Sequence, residues 1–292
     1  MHGICKLCEC ESELESSHFI PKFVIRWIKK TSITGYLRDK NNIGKRAQDL
    51  AKEFWLCRKC EELFSKWESE YASKIFLPYL DDGKSTAKYG HWMSKFCASL
   101  SWRTLTYIRS KNIKKDKSQE YYDTLDKAEQ HLANYLLGKV DNLDQYEQHV
   151  FPLDKIASTT QSGLPTNINR YLLRSVAMDI IGNSSDLFIY TKLPSFIILG
   201  AIYAKDLKKM RASRIAQKSG NISPREYRWP DGFINYIVGK SQEIAAIHDQ
   251  IPTKQLEKIE QFIRNNPEKA ANSKLFEAFL HDYELFGDNV FR

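Results

Sequence analysis

Apolar residues recur at helical spacing in two stretches of the first quarter of the chain. Pro21 can open a helix, and one side of that helix is apolar: Phe23, Val24, Trp27 and Ile28. A second amphipathic helix is predicted over residues 61–77, from Leu63, Phe64, Trp67, Tyr71 and Ile75. Around these helices we expect a tight turn and hairpin over residues 1–20, a loop or ribbon over 32–49 and a short strand over 52–56.

The other three quarters of the chain is predicted to be mainly helical. Apolar periodicity predicts helices over residues 89–109, 121–137, 142–149, 170–181, 233–248, 252–265 and 272–286. Two apolar runs, 186–191 and 196–203, predict a short pair of strands. Residues 81–84 (Asp-Asp-Gly-Lys) interrupt the pattern and suggest a boundary. The fold class expected is therefore α+β, with a small N-terminal domain over 1–82 and a larger, mainly helical domain over 83–292.

Composition describes an ordinary globular chain with an uneven distribution of positive charge. The 292 residues are 42% hydrophobic and carry a formal net charge of +8. Between Lys22 and Lys59 there are 11 basic residues against 3 acidic ones, so this window alone contributes 11 − 3 = +8. Such a window favours a polyanionic partner, although a solvated helix face and loop would have the same composition.

The chain has six cysteines, and four of them are candidate metal ligands. Cys5 and Cys8 form one Cys-x-x-Cys pair, and Cys57 and Cys60 form another. Four thiolates close a tetrahedral shell around Zn²⁺ and leave no open position, so we predict one structural zinc site. The alternative is four separate thiols, with Cys10 as an alternative ligand to Cys8.

The remaining features suggest a protein of a reducing compartment. Cys97 lies in an apolar helical pattern and is predicted to be buried. The chain opens without a basic-then-apolar signal peptide, and its apolar runs fall short of a membrane span. We expect a cytoplasmic protein that is not bound to a membrane.

The segment between the cysteine pairs supplies a family resemblance. A cysteine pair, Ser17-His18-Phe19-Ile20-Pro21 and then Leu56-Cys57-Arg58-Lys59-Cys60 follow in this order. That order resembles the HNH (ββα-metal) endonucleases, in their branch with a four-cysteine zinc site. The resemblance covers about the first quarter of the chain, and it implies a zinc-supported hairpin and helix that hold one catalytic metal ion between them.

Carried over by position, the resemblance implies two catalytic residues. His18 falls on the general base that activates water, and Glu61 on a ligand of a catalytic Mg²⁺ or Mn²⁺ ion. Ser17 stands where the family has Asp or His, and only Gln48 and Asp49 approach the position of its middle Asn. His18 could instead donate a hydrogen bond to a cysteine sulfur or a carbonyl, and Glu61 could be favoured by the helix dipole alone.

The resemblance also implies a nucleic-acid partner, DNA rather than RNA. Basic residues beside the His-x-x-Pro segment are the candidate phosphate contacts: Lys22, Arg26, Lys29, Lys30, Lys45 and Arg46. The competing hypothesis is a zinc-stabilised module that binds nucleic acid or a partner protein without cleaving it. A third hypothesis is a purely structural zinc head that docks a helical interaction domain.

The sequence of residues 83–292 carries no cofactor motif. Analogy suggests a sensor, specificity or oligomerisation role for this region, with a companion protein or a second copy of the chain as partner, in a bacterial restriction or phage-defence protein.

Overall fold

A three-stranded sheet, a two-stranded sheet and two helices build the beginning of the chain. The computed structural model describes residues 1–39, 42–47, 52–111 and 117–291. Of residues 38, 39 and 42–47 it describes only the backbone. The first elements are β1 (His2–Ile4), β2 (Glu11–His18), α1 (Lys22–Lys30), β3 (Leu37–Asp39), β4 (Asn42–Ala47), β5 (Lys52–Cys57) and α2 (Arg58–Tyr71). Strands β1, β2 and β5 form one antiparallel sheet in that order, and β3 pairs with β4. The predicted hairpin, the helix after Pro21 and the strand near residue 52 are confirmed.

The helix predicted over residues 61–77 extends further in the structure, and a π-helical turn interrupts it. After α2 the chain forms a π-helical turn (Ala72–Phe76) and then helix α3 (Leu77–Asp81). Pro78 has no N–H and cannot donate to the carbonyl four residues earlier. The Leu77 amide reaches back to the Ala72 carbonyl instead, which is the five-residue spacing of a π turn.

A buried helix and a four-stranded sheet form the centre of the molecule. Strand β6 (Ala87–Gly90), helix α4 (Trp92–Ser110) and helix α5 (Gln119–Leu136) precede the sheet. The sheet elements are β7 (Gln148–Pro152), β8 (Ala177–Gly182), β9 (Asp186–Leu193) and β10 (Phe196–Ala204), with α6 (Ile168–Arg174) between β7 and β8. Their order is β7-β10-β9-β8, all antiparallel. The predicted strand pair is β9 and β10, the middle of a larger sheet.

Two helix predictions in this region are wrong. Residues 142–149 form turns that lead into strand β7. The helix predicted over residues 170–181 ends at Arg174, because Ser175 is extended (ψ 158°), and residues 177–182 pair with β9 as strand β8. Sheet pairing overrides the helical periodicity of the short apolar run.

Helix α4 packs against the sheet at close range. Nearly all of its residues are buried, polar ones included. At Gly200 in β10, a Cβ atom would lie 2.4 Å from the Ser101 hydroxyl, so only glycine admits this approach. The Thr104 and Thr191 hydroxyls form a 2.8 Å hydrogen bond across the same interface.

The last part of the chain is helical. Strand β11 (Ser219–Ile222) pairs back with β6, and helices α7 (Phe233–His248), α8 (Thr253–Asn265), α9 (Pro267–Ala271) and α10 (Lys274–Phe286) follow. The three helices predicted after residue 230 are confirmed, with α9 as an additional turn. Together these elements make the mixed helix-and-sheet architecture that the sequence predicts.

Hydrophobic clusters join residues on both sides of position 82. In one of them Phe19, Trp55 and Phe64 pack with Trp102 and Leu105 of α4. In another, the rings of Tyr71 and Phe96 stack with centroids 4.0 Å apart. The cysteine-bearing sheet thus shares its core with α4, and the domain boundary at residue 82 stays a prediction.

Candidate metal centre

The four cysteines of the two Cys-x-x-Cys pairs come together at one point. Every Sγ atom of Cys5, Cys8, Cys57 and Cys60 lies within 4.8 Å of the others, and the Cys8 and Cys57 sulfurs are 3.8 Å apart. A tetrahedron with Zn–S bonds of about 2.3 Å has edges of roughly 3.8 Å. The prediction that these cysteines form one cluster is confirmed, and the cluster can hold a structural metal ion such as zinc.

Backbone hydrogen bonds shape the turn that carries the first cysteine pair. The turn between β1 and β2 carries Cys5 and Cys8, with Glu9 in a left-handed conformation (φ 62°). The Cys5 amide donates to the Cys10 carbonyl (3.0 Å) and the Glu9 amide to the Cys5 carbonyl (2.9 Å). Cys10 itself is exposed and lies outside the cluster, so the alternative that it replaces Cys8 is wrong.

The second pair sits at a strand-to-helix junction. Cys57 ends β5 and precedes α2, and Cys60 lies in the first turn of that helix. The Cys57 amide donates to the Cys5 sulfur at 3.3 Å, which links the two halves of the site. Amides aimed at a sulfur favour its thiolate form.

The electrostatics of the cluster suit a cation. A hydrogen bond from the Cys60 thiol, followed by backbone amides, lowers the pKa of Cys5 to about 4. Desolvation raises the pKa of Cys8 to about 12, and the hydrogen bond with Cys5 and burial raise that of Cys60. In this buried space one thiolate disfavours the deprotonation of a second thiol. A bound divalent cation offsets the repulsion between the thiolates.

His18 is the last residue of β2, a strand of the sheet that carries the cysteine cluster. It is half-buried and pairs with Lys52 across the sheet. Its backbone carbonyl accepts a hydrogen bond from Arg103 Nη1 (3.1 Å), and the same nitrogen donates to Glu68 Oε1 (2.7 Å). Arg103 therefore connects helix α4, helix α2 and the strand end that carries His18.

The ion pair between Arg103 and Glu68 is largely buried. The side chain of Glu68 is 18% exposed and that of Arg103 is 5% exposed. The signal that identifies Arg103 is weak in the sequence, since it is one of three basic residues in helix α4.

Ser17 has a structural role beside His18. It is buried, and its hydroxyl accepts from the Leu56 amide (3.3 Å) and donates to the Glu15 carbonyl (3.4 Å). The β2–β5 register shifts between Glu15 and Ser16, and the Ser17 hydroxyl bridges the backbone there. A serine suits this site because it binds backbone groups on both strands.

Glu61 lies in the first turn of α2 and is half-buried. In the part of the chain that the structure describes, the four cysteines are the one group of three or more metal-ligating side chains within reach of a common ion. Glu61 and His18 are thus not joined with a third ligand there. Gln48 and Asp49, the substitutes considered for the family's middle Asn, lie outside the described residues.

Helix α1 carries the candidate phosphate contacts on one face. Lys22, Arg26 and Lys30 are exposed and Lys29 is half-buried, at spacings that place all four on the same side. The opposite side buries Val24, Ile25 and Trp27. The side chains of Lys45 and Arg46, on strand β4, lie outside the described residues.

Glu53 of β5 is held by two neighbours. It accepts from Trp55 Nε1 (2.9 Å) and from Lys111, and the Lys111 hydrogen bond lowers the pKa of its carboxyl group. These contacts fix the strand that delivers the second cysteine pair.

Among the described helices, none combines the length and apolar character that crossing a bilayer requires. Comparisons with models of protein families, with curated proteins and with solved structures each found no match.

Proposed function

We propose that the chain is a metal-dependent endonuclease of the HNH type that cleaves phosphodiester bonds in DNA. One observation carries the proposal: the two cysteine pairs converge in a single cluster at the base of a β2–β5 pair and helix α2, and His18 ends one of those strands. The combination of a cysteine cluster, an antiparallel strand pair and a following helix supports the proposal, with His18 at the end of the strand pair away from Cys57. The exposed basic face of helix α1, which begins four residues after His18, supports a polyanionic substrate.

In this proposal each residue has one task. Zinc on the four cysteines holds the strand-to-helix junction, and His18 takes the proton from the attacking water. Glu61 would hold Mg²⁺ or Mn²⁺, and the ion would supply charge stabilisation at the phosphate. Arg103 positions the end of strand β2 through the His18 carbonyl.

The wider setting of the proposal follows from the thiols and from analogy. Closely spaced thiols persist in a reducing compartment, so a cytoplasmic location is part of the proposal. Residues 83–292 would act as sensor, specificity or oligomerisation elements of a phage-defence nuclease.

A nicking assay tests the proposal. Supercoiled plasmid and single-stranded DNA are incubated with zinc-loaded protein in Mg²⁺, Mn²⁺ or EDTA. We expect metal-dependent cutting that falls about 10²–10⁴-fold in His18→Ala, the range for loss of a general base. His2→Ala is the matched control, because His2 is an exposed histidine of the same sheet. A folded His18→Ala protein that cuts as fast as wild type would refute the proposal.

A second candidate function is binding of nucleic acid without cleavage. It is favoured by the absence, among the described residues, of a second group of three or more metal ligands. It predicts salt-dependent duplex binding that persists in EDTA, with the logarithmic salt slope reduced by about 1 in Arg26→Met. Lys254→Met on helix α8 is the control, and an unchanged slope in Arg26→Met would exclude this surface.

A further inference from the structure

A cavity of about 130 Å³ lies where helices α1, α3 and α10 meet the end of α6 and the β9–β10 turn. Its apolar walls come from Trp27, Tyr79, Leu80, Leu153, Leu173 and Ala278. Two buried polar residues, Arg174 and Ser195, also line it, and exposed Asp154, Lys155 and Glu277 stand at its rim. The residues that it joins come from opposite ends of the chain.

Arg174 is a buried cation for which the described residues supply no direct ion pair. It is 9% exposed, its guanidinium lies 4.8 Å from the centre of the Trp27 ring, and Glu277 acts on it only through a longer-range attraction. Two of its five N–H groups are used, one to Thr31 Oγ1 (2.6 Å) and one to the Ile28 carbonyl (3.2 Å). Burial lowers the pKa of Arg174 to about 10, which leaves it protonated at neutral pH. A buried charge of this kind normally has a counter-ion.

Ser195 adds an unused donor in a strained backbone. It is 3% exposed and adopts a left-handed conformation (φ 55°) in the turn after Pro194, a position that favours glycine. Its amide donates to the Leu172 carbonyl, but its hydroxyl forms no hydrogen bond with any residue that the structure describes. Strain of this sort gathers at functional sites.

We propose that this cavity binds one small anionic group, a phosphate or a carboxylate, on the free N–H groups of Arg174 with a second hydrogen bond from Ser195. An engineered cavity of about 150 Å³ takes a benzene molecule, so the volume suits a single anionic group. At the rim Lys274 pairs with Glu277 (2.8 Å), so this carboxylate, which also attracts Arg174, is already engaged by a second cation. The bound anion would tie helix α1, which carries the basic face, to helix α10. The site does not rest on the proposed nuclease activity.

Isothermal titration calorimetry of the full-length, zinc-loaded protein tests this site. Inorganic phosphate and acetate are titrated separately at constant ionic strength set with chloride. Arg174→Lys keeps the net charge, so nonspecific anion binding is unchanged in it, while the bidentate fork is lost. Ser195→Gly removes the hydroxyl and relieves the backbone strain, so its fold is expected to be at least as stable as wild type.

We expect saturable binding of phosphate or acetate with one site per chain. The dissociation constant should rise about tenfold or more in Arg174→Lys and about fivefold in Ser195→Gly. Whichever anion saturates identifies the ligand as a phosphate or a carboxylate. The proposal is overturned if neither anion gives saturable binding, or if Ser195→Gly binds the anion as tightly as wild type. If Arg174→Lys does not fold, the Ser195→Gly result alone decides.

Discussion

Arg103→Met is expected to destabilise the protein by about 3 kcal/mol. The substitution keeps much of the side-chain bulk but removes a guanidinium that is only 5% exposed. That group donates to Glu68 (2.7 Å), to the His18 carbonyl (3.1 Å) and to the Ser99 carbonyl (3.3 Å). It also lies 5.1 Å from the centre of the Phe64 ring.

The magnitude follows from the burial of the pair. Removing one partner of a buried ion pair costs about 3–5 kcal/mol, because the remaining charge is left without a partner. Glu68 keeps 18% of its side-chain exposure, so some hydration is regained and the lower end of that range applies. The double variant Arg103→Met/Glu68→Leu should recover part of the loss, since no unpaired carboxylate remains.

Helix α2, which carries Glu68, offers a matched control. Arg58 and Glu62 form an ion pair at 3.0 Å, but their side chains are 81% and 60% exposed. Arg58→Met should therefore cost no more than about 0.5 kcal/mol. Urea denaturation of zinc-saturated proteins gives both values. A loss in Arg103→Met equal to that in Arg58→Met would refute the claim that Arg103 holds the strand end that bears His18.

Three further predictions concern the cluster, the sheet and pH. Cys57→Ser should lose bound zinc, measured by plasma emission spectrometry, whereas Cys10→Ser should retain it; equal retention would contradict a shared site. Gly200→Ala should destabilise by about 1–3 kcal/mol because its Cβ would meet a serine hydroxyl at 2.4 Å, and Gly239→Ala, with open space around it, should be neutral or stabilising in thermal melts. Desolvation lowers the pKa of His149 from 6.5 to about 4, so its contribution to stability is full above pH 6.5 and is lost as pH falls towards 4. Stability should drop by about 1 kcal/mol between pH 7 and 5.5 in wild type, and this component should be missing in His149→Leu.

The cysteine cluster was predictable because the residues that form it stand in two short, recognisable motifs. A Cys-x-x-Cys pair fixes two ligands on one turn, and two such pairs in one chain restrict the site to four sulfurs. Helices that bury one face, such as α1 and α7, were predictable for the same reason, since their apolar residues recur at helical spacing.

The central sheet shows where local patterns fail. Residues 177–182 have an apolar spacing that suits a helix, but strand β9 offers them a partner and they form β8. Strand β7 is likewise defined by β10, from far along the sequence. Such pairings depend on contacts that a window of neighbouring residues does not contain.

The sequence indicated where His18 lies relative to the cysteines, but not which residues hold it in place. The order of motifs placed His18 between the two cysteine pairs, whereas its contact with Arg103 comes from a residue 85 positions away. Ser17 stands out in the sequence as a departure from the family pattern, and the structure shows it bridging the strands at a bulge.

The central claim is that one metal ion on four sulfurs organises the beginning of the chain. Zinc K-edge X-ray absorption of protein purified without added metal tests it most directly. The account predicts one zinc ion per chain with four sulfur neighbours at about 2.3 Å. Purified protein without zinc, or zinc with nitrogen or oxygen ligands in place of any of the four sulfurs, would contradict it.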